Sequence, residues 1–222
     1  MRAQGVTGDL FPDIDGRPKT RESLAPGAVL LRAFVLDVEA ALGAALDGVV
    51  SQAPFRHMTT PGGYRMSVAM TNCGAFGWVS DRRGYRYDPL DPESGRAWPV
   101  MPEVFRDLAA RAAAAAGFNI FEPDACLINR YEPGSRLSLH QDKNEKDFGA
   151  PIVSVSLGLP AVFLFGGDER TDRPRRVSVF HGDVAVWGGA SRLAFHGIAP
   201  LADGLHSSMR RQRINLTLRR AR

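Results

Sequence analysis

The chain has 222 residues, 44% of them hydrophobic and 23% charged, which is ample for a sizeable core beneath an ordinary surface. No stretch approaches the roughly 18 consecutive apolar residues of a membrane span, and Met1 to Asp13 lack the apolar centre of a secretory signal. A soluble, monomeric, cytoplasmic protein with no membrane partner is therefore expected. The net charge is +4, and only Lys19, Lys143 and Lys146 among the 28 basic residues are lysines. Arginine suits bidentate contact with carboxylate or phosphate, although an arginine-favouring genome gives the same composition. Arg170 to Arg176 and Arg210 to Arg222 are the densest basic clusters.

Residues 1–25 mix Gly, Pro, Asp and charge without periodicity and read as a flexible arm, leaving 26–222 as one domain. Val38, Leu42, Leu46 and Val49 repeat at helical spacing behind Asp37, a suitable N-cap. Residues 61–98 are rich in Gly and aromatics, including Tyr64, Trp78, Tyr85 and Tyr87, with turn signals and weak periodicity; such a segment reads as a binding lid. Pro102 to Ala116 is an alanine-rich helix that stops at Gly117.

From Ala125 the pattern turns to short strands: Ile152–Leu159, Val162–Phe165, Arg176–Phe180, Val184–Trp187, Arg192–Phe195 and Arg213–Arg219. Two helices followed by many short strands predict a mainly β fold, a β-sandwich or jelly roll with helices packed on one sheet. Cys73 and Cys126 are too few for a zinc motif and read as reduced, partly buried thiols.

Oxygenases that use non-haem iron hold it with two His and one carboxylate. His140 and Asp142 share one side of an extended segment, because side chains alternate with period two. His196 lies far enough on to return on another strand. A second His-x-Asp, His181-Gly182-Asp183, stands where a hairpin turn is expected, and a turn tip aims both side chains inward poorly. His57 and His206 read as surface residues. On the last strand Arg213, Asn215, Thr217 and Arg219 share one face and Ile214, Leu216 and Leu218 the other. A strand facing solvent has the same alternation. The two arginines are about 20 Å apart along the strand, and a short dicarboxylate such as 2-oxoglutarate would bridge their side chains.

Asn129-Arg130-Tyr131, Leu139-His140-Gln141-Asp142-Lys143, His196 and Arg213-x-Asn215-x-x-x-Arg219 together resemble the AlkB family of Fe(II)/2-oxoglutarate-dependent nucleic-acid dealkylases. The likeness runs from about Gly27 to Arg219 and takes in Thr60-Pro61-Gly62-Gly63-Tyr64 and Pro151 to Pro160. It implies a double-stranded β-helix core with an N-terminal helical and lid extension. It also implies Fe(II) on His140, Asp142 and His196, with 2-oxoglutarate and O2 as cosubstrates. Asn129, Tyr131, Arg213, Asn215 and Arg219 would bind 2-oxoglutarate, with Arg213 at the distal carboxylate and Arg219 beside Asp142. Trp78, Tyr85, Arg86, Tyr87 and Arg170 match positions that contact the damaged nucleotide. Read without the resemblance, Trp78 and Tyr85 are core aromatics. Asn144 stands where the family's bacterial prototype has an aspartate near the base, so a negative charge is missing there.

The activity so implied is direct repair of bases such as N1-methyladenine and N3-methylcytosine in single- or double-stranded DNA or in RNA. It proceeds through an iron(IV)-oxo species and releases formaldehyde, succinate and carbon dioxide. Two rivals are an oxygenase acting on RNA, protein or a small molecule, and a cupin-like or nucleic-acid-binding sensor without turnover. The complete triad with its arginine pair argues against the second.

Overall fold

The computed structural model describes residues 17–222, so residues 1–16 of the expected arm lie outside the described residues. The remainder of that arm is ordered. Arg21–Ala25 (β1) pairs antiparallel with Ala28–Leu31 (β2) through a turn at Gly27, whose φ is 75°. Its anchor is Asp183, fully buried: its carboxylate accepts hydrogen bonds from Arg32 Nη1 (2.8 Å) and the Ala33 amide (3.0 Å), and Arg17 lies at 3.2 Å. Strands this short carry too few residues to show a period.

A 3-10 turn, Leu36–Val38, leads into α1, Glu39–Gln52, which buries Leu42, Leu46 and Val49 as the spacing predicts. Asp37 does not cap it. It sits inside the 3-10 turn facing Lys19 (3.4 Å) and Arg111 (3.6 Å), and the N-cap residue is Val38. The segment 61–98, expected as a lid, is built around strands. It contains β3, Ala69–Gly74, an edge strand of the main sheet, and then a hairpin, Gly77–Asp81 (β4) and Gly84–Asp88 (β5). β3 is buried at all but its last position, which erases the alternation that would have revealed it. Helix α2, Glu103–Ala116, begins after Pro102 and ends at Gly117 in the left-handed conformation (φ 94°), as expected.

The remaining strands are β6 (Ala125–Tyr131), β7 (Leu137–His140), β8 (Ile152–Gly158), β9 (Ala161–Phe165), β10 (Arg175–Val179), β11 (Val184–Trp187), β12 (His196–Ile198) and β13 (Arg213–Arg219). The expected strand Arg192–Phe195 is not one. A 3-10 turn at Gly189–Ser191 precedes it, and Arg192 turns inward to donate to the carbonyls of Ala150 (3.0 Å) and Asp142 (2.9 Å).

The strands form a seven-stranded antiparallel sheet in the order β1-β2-β11-β8-β13-β6-β3 and a four-stranded one in the order β10-β9-β12-β7. Alternation on the large sheet builds two cores. Val153, Val155, Leu157, Ile214, Leu216 and Leu218 face the helices, meeting Leu42, Phe105 and Leu108. Ile152, Tyr131, Ala185 and Trp187 face the small sheet, meeting Phe163, Phe165, Val177 and Ile198. A jelly roll with helices on one face is the architecture the strand pattern predicts. Both faces of the large sheet are covered, so the polar face of β13 is buried between the sheets, and the solvent-facing alternative for that strand is excluded.

Candidate metal centre

His140 ends β7 and His196 opens β12, and the two are register partners across the small sheet. The neighbour that allows this is Gly197, where a Cβ would meet the backbone of Leu137 and Ser138 on β7. The two rings lie 4.4 Å apart, and Asp142, two residues past His140, brings its carboxylate to 3.7 Å from His140 Nε2 and 3.6 Å from His196 Nε2. The three ligand atoms fall within 4.8 Å of one another, and they form the only such cluster among the described residues. Each imidazole has its Nδ1 against a backbone carbonyl, Ser138 O at 2.9 Å and Ala194 O at 3.0 Å. A carbonyl only accepts, so Nδ1 carries the proton and the Nε2 lone pair is left for a metal. Burial, reinforced by the neighbouring His140, lowers His196 to about 4, which keeps it neutral and ready to ligate. Burial alone would raise Asp142, but Arg219, His196 and His140 outweigh it and hold the carboxyl below the usual range.

The sheet behind this cluster carries a second set of polar groups. Tyr131 and Arg213 are partners on β6 and β13, as are Asn129 and Asn215, so all four side chains project between the sheets. Arg213 is 2% exposed, stacks over Tyr131 at 5.0 Å and donates from one Nη to Ser156 Oγ at 3.0 Å. Its Nε and other Nη are buried without a partner, and so are Asn129 Oδ1 and Trp187 Nε1. Unmatched buried donors of this kind are costly, and a carboxylate would satisfy the guanidinium. Asn215 donates to Ser154 Oγ and the Val155 carbonyl, both at 2.8 Å, and its own Oδ1 accepts from Thr217. Arg219 donates to Asp142 from Nε at 2.8 Å with an Nη at 2.6 Å, beside the metal carboxylate as expected.

The nucleotide-contact candidates divide. Trp78 and Tyr85 stack on one face of the hairpin, centroids 5.6 Å apart and planes 16° from parallel, with Tyr85 46% exposed. The Trp78 indole N–H donates to Asn144 Oδ1 at 3.3 Å, which brings Asn144 and the hairpin together. Arg170 is exposed in the segment between β9 and β10. Arg86 is occupied within the hairpin, with both Nη atoms 3.0 Å from Asp81. Tyr87 points inward and is buried, and its hydroxyl donates to Glu145 Oε1 at 2.6 Å. Within the basic cluster 210–222, Arg213 and Arg219 are interior, while Arg211 pairs with Asp203 at 2.7 Å.

Four further residues take part in the site, and none of them is expected from the sequence. Glu145 is buried against Tyr87, Arg219 (3.5 Å) and Arg192 (3.4 Å), and Arg192 fixes the Asp142 carbonyl. Ser154 and Ser156 could have been flagged, because they break an otherwise apolar strand on the face that β13 makes polar.

His181-Gly182-Asp183 is the expected turn between β10 and β11, but its side chains do aim inward, contrary to expectation. His181 Nδ1 accepts the Gly158 amide at 2.9 Å, and Asp183 anchors β1 and β2. Both are held by the protein, so the turn is no rival metal site. His57 is half-buried, with Nδ1 2.8 Å from the Met66 carbonyl, and the half-buried His206 stacks on His181 at 4.5 Å; neither is a plain surface residue. Cys73 and Cys126 are free and fully buried, more so than expected.

Two imidazoles and a carboxylate at one end of a jelly roll, backed by an arginine without an anion, define a mononuclear non-haem iron oxygenase with a carboxylate cosubstrate. Residues 27–219 match the 2OG-Fe(II) oxygenase superfamily. The chain is 56% identical over 213 residues to the alpha-ketoglutarate-dependent dioxygenase AlkB of Escherichia coli, covering 96% of this chain and 97% of that protein. It is 46% identical to the AlkB homolog of Caulobacter vibrioides, covering 89% and 86% of the two chains. A solved structure of OsALKBH1 superposes with a TM-score of 0.79 at 29% identity, covering 90% of this chain and all of that one. The chain belongs to the AlkB family of 2OG-Fe(II) oxygenases, and its activity is that of an Fe(II)/2-oxoglutarate-dependent dioxygenase.

Proposed function

We propose that the enzyme repairs DNA by oxidative removal of alkyl groups from base nitrogens, N1-methyladenine and N3-methylcytosine among them, and accepts RNA with the same lesions. The reading rests above all on the stacked Trp78–Tyr85 pair, tied through Asn144 to the segment that carries Asp142. A flat aromatic face beside a metal centre suits a planar ring brought out of its stack.

Bound iron(II), with 2-oxoglutarate and dioxygen, supplies the oxidant that hydroxylates an N-alkyl carbon, and the unstable product sheds an aldehyde and restores the base. His140, Asp142 and His196 would hold the metal. Arg213 would take the distal carboxylate of 2-oxoglutarate on its unpartnered N–H groups, with Asn129 and Tyr131 beside it. Arg219 keeps Asp142 ionised and fixed in place. A methyl on the pairing edge cannot be reached within a duplex, so the base must be flipped out or already unpaired. N1-methyladenine and N3-methylcytosine are cationic, and stacking on Trp78 adds a cation–π attraction of about 0.5–2 kcal/mol. Exposed arginines, Arg170 among them, would grip phosphates. We further propose that the enzyme acts as a cytoplasmic monomer; among the described residues no helix is long and apolar enough to cross a membrane.

The test is release of formaldehyde and succinate from oligonucleotides carrying single defined methyl lesions, in DNA and in RNA, with and without iron(II). Trp78→Ala should lower turnover about 5- to 150-fold, the equivalent of about 1–3 kcal/mol of base stacking, while metal and 2-oxoglutarate still bind. Absence of iron-dependent formaldehyde from every methylated strand would remove this reading of the substrate and leave the oxygenase standing.

A further inference from the structure

The two strands of the β4–β5 hairpin place Trp78 and Tyr87 directly opposite each other, so their side chains share a face. Trp78 is half-exposed on the side of the expected base, and it packs against the small cluster of Tyr87, Ala125 and Ala221. Tyr87 continues inward where Trp78 stops. Its hydroxyl donates to Glu145 Oε1 at 2.6 Å and accepts from an Arg219 Nη at 3.3 Å. Arg219 in turn holds Asp142 Oδ2. Glu145 lies 3.5 Å from Arg219 Nε and 3.4 Å from Arg192, the latter an ion pair without hydrogen-bond geometry. Arg192 closes the circuit by donating to the Asp142 backbone carbonyl at 2.9 Å. Two carboxylates and two guanidiniums, all buried, thus balance one another around a single neutral hydroxyl.

Burial keeps that phenol protonated, pushing it well above its ordinary value, with Glu145 acting in the same direction and Arg219 against it. A buried network of charged and hydrogen-bonded groups in a low-dielectric interior has few alternative arrangements. A shift of the hairpin by a fraction of an ångström must therefore be taken up by Glu145 and Arg219, and through them by both ends of Asp142.

We propose that Tyr87 is a positioning residue that couples the seating of a base against Trp78 to the orientation of the metal carboxylate Asp142, acting through Glu145 and Arg219. Tyr87 acts through the groups its hydroxyl meets, Glu145 and Arg219. Its effect is that the fully aligned metal site forms when the hairpin is loaded, which suppresses consumption of 2-oxoglutarate without a substrate. The inference deepens the dealkylation reading and rests on it.

The experiment uses the whole protein with cobalt(II) and 2-oxoglutarate, the visible spectrum of cobalt reporting its ligand field. A single-stranded oligonucleotide carrying N3-methylcytosine is added. The wild-type spectrum should change on addition. In Tyr87→Phe, which keeps the ring and loses only the hydroxyl, and in Glu145→Gln, which keeps the shape and loses the charge, the cobalt site should form but the oligonucleotide should no longer change it. With iron(II), both variants should produce about tenfold less formaldehyde per succinate, the scale of one hydrogen bond to a charged group. A merely structural role would lower melting temperature and both products together, leaving that ratio and the spectral response intact; either variant behaving so while folded overturns the proposal. If one variant fails to fold, the other decides. A wild-type spectrum indifferent to the oligonucleotide also overturns the coupling, whereas wild-type failure to release formaldehyde from any methylated strand counts against the dealkylation reading itself.

Discussion

Arg213 holds a full charge at a place almost closed to water, and burial pulls its guanidinium below the ordinary value. Two of its nitrogens lack hydrogen-bond partners within the protein, which is the basis for proposing that it receives the distal carboxylate of 2-oxoglutarate. Arg213→Ala should raise the half-saturating 2-oxoglutarate concentration about 10- to 150-fold, equivalent to a charge-assisted contact of about 1.5–3 kcal/mol. A folded variant with unchanged saturation would assign the distal carboxylate elsewhere. His196 makes a prediction of opposite character, about the metal-free protein. Its folded value of about 4 lies below the unfolded 6.5, so the unfolded chain binds a proton in that window and the native state does not. The stabilising contribution is therefore complete above pH 6.5 and is lost as the pH falls toward 4, up to about 3 kcal/mol. Urea midpoints of chelator-treated protein measured across that range should fall, and His196→Gln should remove this component. A flat wild-type profile would contradict the buried, neutral imidazole.

At the scale of elements, the site is made by two strand pairings, β7 with β12 and β6 with β13. The first brings two histidines from opposite strands to ring contact, and Gly197 is what permits that approach, because a Cβ there would press on the β7 backbone at Leu137 and Ser138. Gly197→Ala should cost about 1–3 kcal/mol in stability from overpacking. Metal affinity should also fall, since moving β7 outward separates His140 from His196. Isothermal titration with cobalt(II) alongside thermal melting checks both, and unchanged affinity in a destabilised variant would show that the pair can re-form. The β4–β5 hairpin is a separate two-stranded sheet, yet it is anchored to the body of the fold: Val79 lies in the core between the sheets, and the Asn72 side chain of β3 bonds the Trp78 backbone in both directions at 3.0 Å. β3 belongs to the large sheet, so that part of the expected lid is a sheet strand.

Across the whole molecule, the histidine–carboxylate cluster and the proposed cosubstrate groups lie between the sheets and draw on β6, β7, β12 and β13 together. Unfolding destroys all of them at once, so ligands of the native state add to global stability by mass action. Iron(II) or cobalt(II) with 2-oxoglutarate at about 100 times its dissociation constant should add about 2.7 kcal/mol. For a chain of this size that raises the melting temperature by about 5–10 °C. EDTA should reverse the gain, and the gain should be absent in His140→Ala. A melting temperature indifferent to both ligands would mean that they bind outside the cooperative core.

Much of the chemistry was legible because it is local. His140-x-Asp142 on one side of an extended segment, and Arg213, Asn215 and Arg219 on one face of β13, follow from a side-chain period of two and need no knowledge of the rest of the chain. The same holds for α2, with its proline start and glycine stop. Other features hid where periodicity fails: β1 and β2 are too short to show a pattern, and β3 is buried on both faces. Whether the polar face of β13 met solvent or a second sheet depended on burial, which alternation alone does not reveal. Only the tertiary structure turned Tyr87 inward, buried Glu145 and Arg192 beside Asp142, and made His181-Gly182-Asp183 an anchor instead of a ligand set. Those roles come from contacts between residues far apart in the chain, where the register of one strand against another decides which side chains meet and no spacing along the sequence encodes the answer.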